Sequence, residues 1–342
     1  MGPAMTTRLD VTRAQVLAYR RRVQALDQRL PDEAASLRQA AWAGLQDSVP
    51  RSALHSLHAR VTGVDPDGWK DPALVQVWGP RYTAYVVPAG DHAVYTLARL
   101  PDRGRIRDRA YDLAARLDAY LDGRTINCND AGEALGVHPN NLRYAALTGT
   151  VLIRWEGARA PTVRTVPAPD VDPHSARLEL ARRYLHVGGP STVEAFADWA
   201  GIPVAGGRAA FDALEGSLLA VRTPIAEGWI LASDEQAVRA AEEGTRAARL
   251  LPSGDPYYLL QGADRELLVP DAAHRALLWT PRVWPGAVLV DGEISGTWRR
   301  AKATVTLQMW EHLTPTQRRA VEDEAQSLPL PDVEVPVEAH WT

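Results

Sequence analysis

The sequence predicts an α+β protein, mainly α with β wings, made of tandem winged-helix domains followed by a small C-terminal β unit. Two observations point there. Three helical stretches followed by a hairpin occur between Arg105 and Val166, and the same order returns between His174 and Ala232. Beyond Arg249 the pattern changes to short β-rich runs, with Asp291-Gly292 as a hairpin turn.

Taken in order, residues 1–100 read as an N-terminal winged-helix-like domain. It has helices at roughly 12–28, 33–45 and 50–61, then an apparent hairpin in "LVQVWGPRYTAYVVP". Residues 101–172 form the second unit. The amphipathic run "RIRDRAYDLAARLDAYL" precedes two short helices, "NDAGEALGV" and "HPNNLRYAALTG", and the hairpin "TVLIRWEGARAPTVRTV". Gly136 suits a helix C-cap and Pro139 a new start, so the two helices meet at a tight turn from which Asn140, Asn141 and Arg143 could face a groove. Residues 173–245 form the third unit, where Ser191-Thr192-Val193-Glu194 supplies a capping-box start. Residues 246–342 complete the chain with strands closed by the helix "PTQRRAVEDEAQSL".

The 342 residues are 46% hydrophobic, ordinary for a folded protein of two or three modules. Cys128 is the sole cysteine, which excludes an intramolecular disulfide and a cysteine-based zinc site and fits a reducing cytoplasm. Apolar runs are too short to span a bilayer and the start lacks a signal-peptide core, so no membrane association is expected. Met1-Gly2 with Thr6 matches a myristoylation pattern, but "MGPAM" reads as added sequence or as preceding an alternative start at Met5. Net charge is −4, which argues against an all-over basic coat and leaves room for one basic face, the acid lying in runs such as "EDEA" and "DVEVPVE". All but Lys70 and Lys302 of the 38 basic residues are arginines, a bias that suits phosphates and base edges and also follows from a GC-rich genome.

The stretch "AGLQDSVPR" (43–51) has the makings of a helix cap. Asp47 or Ser48 can accept from the next helix's free amides, and Pro50 suits its first turn. Gln46 is left unexplained by that reading. His55 and His58 share a helix face, but no nearby cysteine or His-Glu-x-x-His pattern completes a zinc site, so they read as a partly exposed pair and no metal is expected. Trp42, Trp78, Trp199 and Trp279 read as core or interface more readily than as stacking platforms. Tyr85, next to a hairpin tip, is the aromatic best placed to act on a partner, and Arg81 beside it suits a phosphate or a groove. Gly-x-Gly-x-x-Gly, Walker and Gly-x-Ser-x-Gly patterns are absent, and no cofactor is expected.

Five stretches together resemble the AlkZ-like (YcaQ-like) winged-helix DNA glycosylases over essentially the whole chain. They are "AWAGLQDS" (41–48), "QVWGPRYTAYVV" (76–87), "LARRYLHVGGPSTVEAFADWAGI" (180–202), "LLPSGDPYYL" (250–259) and "VLVDGEISGTWRR" (288–300). The resemblance implies a monofunctional glycosylase that hydrolyses the N-glycosidic bond of alkylated or bulky-adduct bases. It also implies tandem winged helices around damaged double-stranded DNA, acting as a cytoplasmic monomer that joins the nucleoid when bound. Gln46 matches the first position of the family's Gln-x-Gln or Gln-x-Asp element. Ser48 stands at the second, and Asp47 lies between them as a possible auxiliary. Arg51, Arg81, Tyr82, Tyr85, Asn140, Asn141 and Arg143 are the DNA-binding candidates, with Tyr85 where the family hairpin usually has a histidine. Two other readings stay open: a non-catalytic winged-helix DNA-binding protein serving as lesion sensor or regulator, and a protein-interaction scaffold.

Overall fold

The computed structural model describes residues 8–342 except 50, 158, 242–243, 245, 261–264, 332 and 334. The segment at Met1–Gly2 and the expected helix-starting Pro50 lie outside the described residues, as do parts of the "DVEVPVE" run.

The described residues form a mixed α/β fold with three sheets among them. The N-terminal helices are Arg13–Val23, Ala34–Ala40 and Ser52–Arg60, followed by strands Leu74–Trp78 and Ala84–Pro88. These two strands join Leu45–Gln46, Val151–Arg154, Thr162–Thr165 and Ile126–Asn127 in one six-stranded sheet. The pairing of Gln76 with Ile153 carries that sheet across the boundary expected at residue 100. Leu9–Asp10 likewise pairs in parallel with Leu218–Arg222, tying the start of the chain to its third unit. Neither contact is visible locally, because both join segments far apart in sequence.

In the second unit helices Arg105–Leu121 and Cys128–Ala134 precede Pro139–Thr148. The last is a 3₁₀-helix rather than an α-helix. Leu142, Ala145 and Thr148, at spacing three, are all buried, which matches the eclipsed faces of three residues per turn. Gly136 (φ +63°) takes the left-handed conformation expected of it. In the third unit Pro173–Gly188, Val193–Ala200 and Val204–Ala213 precede strands Leu218–Arg222 and Glu227–Leu231. The cap at Val193–Ala200 is Thr192, which accepts from the Ala195 amide at 3.2 Å, one residue later than Ser191.

The C-terminal sheet runs Ala248–Leu251, Gly286–Val290, Glu293–Ala301, Thr304–Met309 and Glu338–Trp341. Asp291 (φ +49°) and Gly292 (φ +89°) form the expected tight turn. The closing helix, Pro315–Gln326, covers one face by burying Val321 and Ala325 against Leu250, Val288 and Leu307. Among the described residues no helix is long and apolar enough to cross a membrane.

Candidate active site

Gly44 makes the entry to the "GLQDS" stretch possible. Its φ is +76°, and a Cβ there would lie 2.5 Å from Cε1 of Tyr95, whose hydroxyl donates to the Trp42 carbonyl. Leu45 is then fully buried and Gln46 pairs with Tyr85 in the neighbouring strand.

Extended backbone turns Gln46 and Asp47 to different partners. Gln46 Nε2 donates to the exposed Ser48 Oγ at 2.5 Å. Its Oε1 accepts from Arg81 Nη2 and from the Tyr85 hydroxyl, each at 3.4 Å. An arginine only donates, so the oxygen must face it and the amide nitrogen must face Ser48. The i, i+2 spacing read from the sequence therefore places Gln46 and Ser48 together. Gly254 closes the other side: a Cβ there would stand 3.2 Å from Gln46 Nε2.

Asp47 is 1% exposed and faces away from that group. It accepts from the Ala53 amide at 3.1 Å and from Gln76 Nε2 at 2.8 Å, and lies 3.7 Å from Arg51. Gln76 Oε1 in turn accepts from the Trp155 amide at 2.7 Å, fastening the strand to the 151–165 hairpin. Asp47 thus ties down the first turn of helix Ser52–Arg60, whose N-cap position is Arg51, and this speaks against an auxiliary catalytic role. Burial pushes its carboxyl up to about 6, partly offset by those donors and the Arg51 charge. A folded pKa above the ordinary 3.8 means the native state binds more protons between the two values. This group's contribution is full below about pH 4 and falls as pH rises to about 6. Against Asp47→Asn, wild-type protein should therefore lose relative stability across that window and keep a constant gap above it, read from urea midpoints at pH 4, 5, 6 and 7.5. A gap independent of pH would sink the assignment.

Three further expectations need correction. Tyr85 is fully buried against Gly79, because the strand register turns its ring into the core shared with Tyr95 and Trp199, so the ring is not placed to act on a partner. Arg51 is 8% exposed, with its guanidinium 3.8 Å above Trp69 and Nη2 donating to the Trp155 carbonyl at 3.0 Å. It braces the fold instead of facing a partner. His55 and His58, read as partly exposed, are 4% and 6% exposed because the C-terminal sheet and helix pack over their face. Burial pushes both down to about 3, leaving them neutral. Trp78, Trp199 and Trp279 are buried, and Trp42 packs edge-on to His186.

Arg81 and Tyr82 form the hairpin tip with consecutive left-handed residues, φ +53° and +60°. The third unit supports this tip. Gly201, at the end of Val193–Ala200, leaves room for the Arg81 backbone, and Arg99 bonds both Ala200 O at 3.1 Å and Gly79 O at 2.5 Å. From here a stripe of rings and cations runs outward. Arg99 lies 4.0 Å over Tyr82, Tyr82 packs 5.3 Å from Tyr144, and the exposed Arg109 sits 4.4 Å over Tyr144. Sequence reasoning missed Arg109 and Tyr144, although the alternation in "RGRIRDRA" was the available signal. Asn140 is exposed, and Asn141 and Arg143 are half-buried on the same 3₁₀-helix as Tyr144. Among the described residues no cluster of three or more His, Cys, Asp or Glu could hold a metal ion.

Residues 37–329 match the family model described as DNA glycosylase AlkZ-like. The fold is similar to that of Streptomyces sahachiroi DNA glycosylase AlkZ, with TM-score 0.80 and 17% identity over 98% of this chain and 100% of that one. No curated protein sequence matches.

Proposed function

Since the chain belongs to the AlkZ-like DNA glycosylase family, we propose that it is a monofunctional glycosylase that removes alkylated or bulky-adduct bases from duplex DNA as a monomer, in the cytoplasm. Its three helix–hairpin units act as tandem winged helices around the duplex. The observation behind this reading is the Gln46 carboxamide, fixed at both ends by Arg81, Tyr85 and Ser48 beside an exposed ledge of arginine and tyrosine.

Hydrolysis breaks the bond from the base nitrogen to C1′. The electron pair leaves with the base, and the oxocarbenium-like C1′ is captured by water, which gives up a proton. Ser48 holds that water, and the second Nε2 hydrogen of Gln46 orients it. Neither group is a base at neutral pH, so the proton passes to solvent. Such a site suits bases already cationic through ring alkylation, which leave as neutral molecules. A lyase step would need an amine bonded to or aimed at C1′, and neither lysine of the chain bonds to Gln46 or Ser48: Lys70 pairs with Asp67 at 2.7 Å, and Lys302 follows strand Glu293–Ala301. This supports the monofunctional reading.

Arg81 and Arg109 each neutralise a phosphate in this account. Each alanine variant should weaken binding to any duplex and lower the slope of log K against log salt by about 1. Fluorescence anisotropy from low to moderate salt measures this, and unchanged slopes would remove both from the interface.

The function itself is tested with duplexes carrying N7-methylguanine, N3-methyladenine or a bulky purine adduct, scored for alkali-labile abasic sites. Strand breaks are expected at the damaged bases and none at unmodified ones. A second reading is favoured by one observation: the only carboxylate in the motif, Asp47, is buried and held by the Ala53 amide. If every lesion is bound and none excised, the protein is a lesion sensor or regulator.

A further inference from the structure

The loop between helix Ala272–Leu278 and strand Gly286–Val290 carries Val283, which is 57% exposed. The backbone around it is pinned. Thr280 Oγ1 and Arg299 Nη2 both donate to the Val283 carbonyl, at 3.0 and 3.1 Å. The residues that follow lead back into the protein: Trp284 is half-buried with its ring 6.1 Å from that of Tyr258, and the Tyr258 hydroxyl donates to the carbonyl of buried Pro285 at 3.0 Å. A branched, stiff side chain is therefore held in solvent on a fixed backbone instead of packing.

Its surroundings are cationic. Arg282, Arg299 and Arg300 are exposed, and none of them pairs with a carboxylate among the described residues. Other surface arginines, such as Arg222, Arg239 and Arg318, each have a carboxylate partner on the protein. An apolar tip rimmed by uncompensated positive charge suits a polyanion with an apolar interior, and duplex DNA carries phosphates outside and stacked bases inside. The place fits as well. Val283 and Arg299 border a recess of about 280 Å³ together with Val49 and Ser253, the chain neighbours of Ser48 and Gly254. Arg81 meets the Gln46 carboxamide at its oxygen, while Ser48 and Gly254 meet it at Nε2. The Val283 loop thus lies on the nitrogen side of that carboxamide and the Arg81 tip on the oxygen side.

We propose that Val283 is a wedge: its side chain enters the duplex beside the base pair that lies over Gln46, while Arg282 and Arg300 hold the flanking phosphates. The inference rests on the glycosylase reading and gives this loop a role that the buried ring of Tyr85 does not fill. Insertion costs unstacking, and the cost is least where a base is missing or already poorly stacked, so the wedge favours damaged over intact duplex. Val283 positions the lesion and takes no part in bond breaking.

The test uses the full chain and two duplexes that both contain 2-aminopurine, one intact and one with a tetrahydrofuran abasic analogue beside the probe. Wild-type protein should bind the abasic duplex more tightly and raise its 2-aminopurine emission at saturation. Val283→Ala removes two methyl groups that the bases would bury, so the preference for the abasic duplex should fall about tenfold and the rise in emission should be lost, with intact-duplex affinity kept within about twofold. Val283→Leu should retain both. All three proteins should share one urea midpoint, because the side chain is exposed. Arg282→Ala should instead weaken binding to both duplexes alike and lower the salt slope by about 1. Wild-type preference and emission in Val283→Ala, equal weakening on both duplexes, or no duplex binding by wild-type protein overturns the wedge. Excision of N7-methylguanine by wild-type protein, with Val283→Ala unchanged in preference and emission, would leave the glycosylase reading standing and remove the wedge. The expected losses in Val283→Ala, with no lesion excised by wild-type protein, would keep the wedge and remove the glycosylase reading.

Discussion

Ser48→Asp should speed release of N7-methylguanine by about 10²–10⁴-fold, the usual range for a well-placed general base. Ser48 Oγ already sits 2.5 Å from Gln46 Nε2, so the position is held next to the amide that orients the water. A carboxylate there would accept from Gln46, stabilise the cationic sugar and take the water's proton. Asp47 does none of this from one residue away, because its oxygens are engaged by the Ala53 amide and Gln76 on the buried side. Single-turnover release of the labelled base measures the gain. A rate equal to wild type would show that position 48 is remote from the reacting carbon.

The largest effect on stability is expected at Arg60 and Asp255. Arg60 is 2% exposed and Asp255 1%, and they join through two bonds of 2.7 and 2.8 Å. Arg60 also donates to the Ser56 carbonyl and to Gln24 Oε1, while Asp255 accepts from Ser56 Oγ at 2.7 Å and from the Tyr257 amide at 3.0 Å. This clamp presses the 252–255 turn onto helix Ser52–Arg60 and so sets Gly254 against Gln46. Arg60→Met leaves a buried, uncompensated carboxylate and should cost about 3–5 kcal/mol. Arg60→Met combined with Asp255→Leu should cost clearly less than the two single changes summed. Urea unfolding of the four proteins gives the coupling, and additive losses would mean the charges act independently.

Much of the fold was legible locally because caps and turns are local chemistry. Gly136 and Asp291-Gly292 behave as their residue types predict, and the cap expected at Ser191 falls one residue on, at Thr192. The pairing of Gln46 with Ser48 was legible for the same reason, since spacing two keeps side chains on one side of extended chain. Burial was not legible where the covering residues are distant in sequence. Arg51 looks like a surface cation until Trp69 and Trp155 close over it. His55 and His58 look half exposed until residues near 298, 324 and 329 arrive from the far end. Tyr85 looked like a hairpin-tip probe because a histidine is usual there in the resembling family. Its register with Gln46 and Val77 instead points it inward, where only its hydroxyl reaches the site.

The measurement that bears most directly on the account compares wild-type protein with Gln46→Ala on one duplex carrying a single N7-methylguanine. Base release under single turnover and duplex affinity are followed in parallel. Gln46→Ala should abolish release above the spontaneous rate while duplex affinity stays within about twofold, less than half of the 1.4 kcal/mol that a tenfold change represents. Release at the wild-type rate by Gln46→Ala would contradict it.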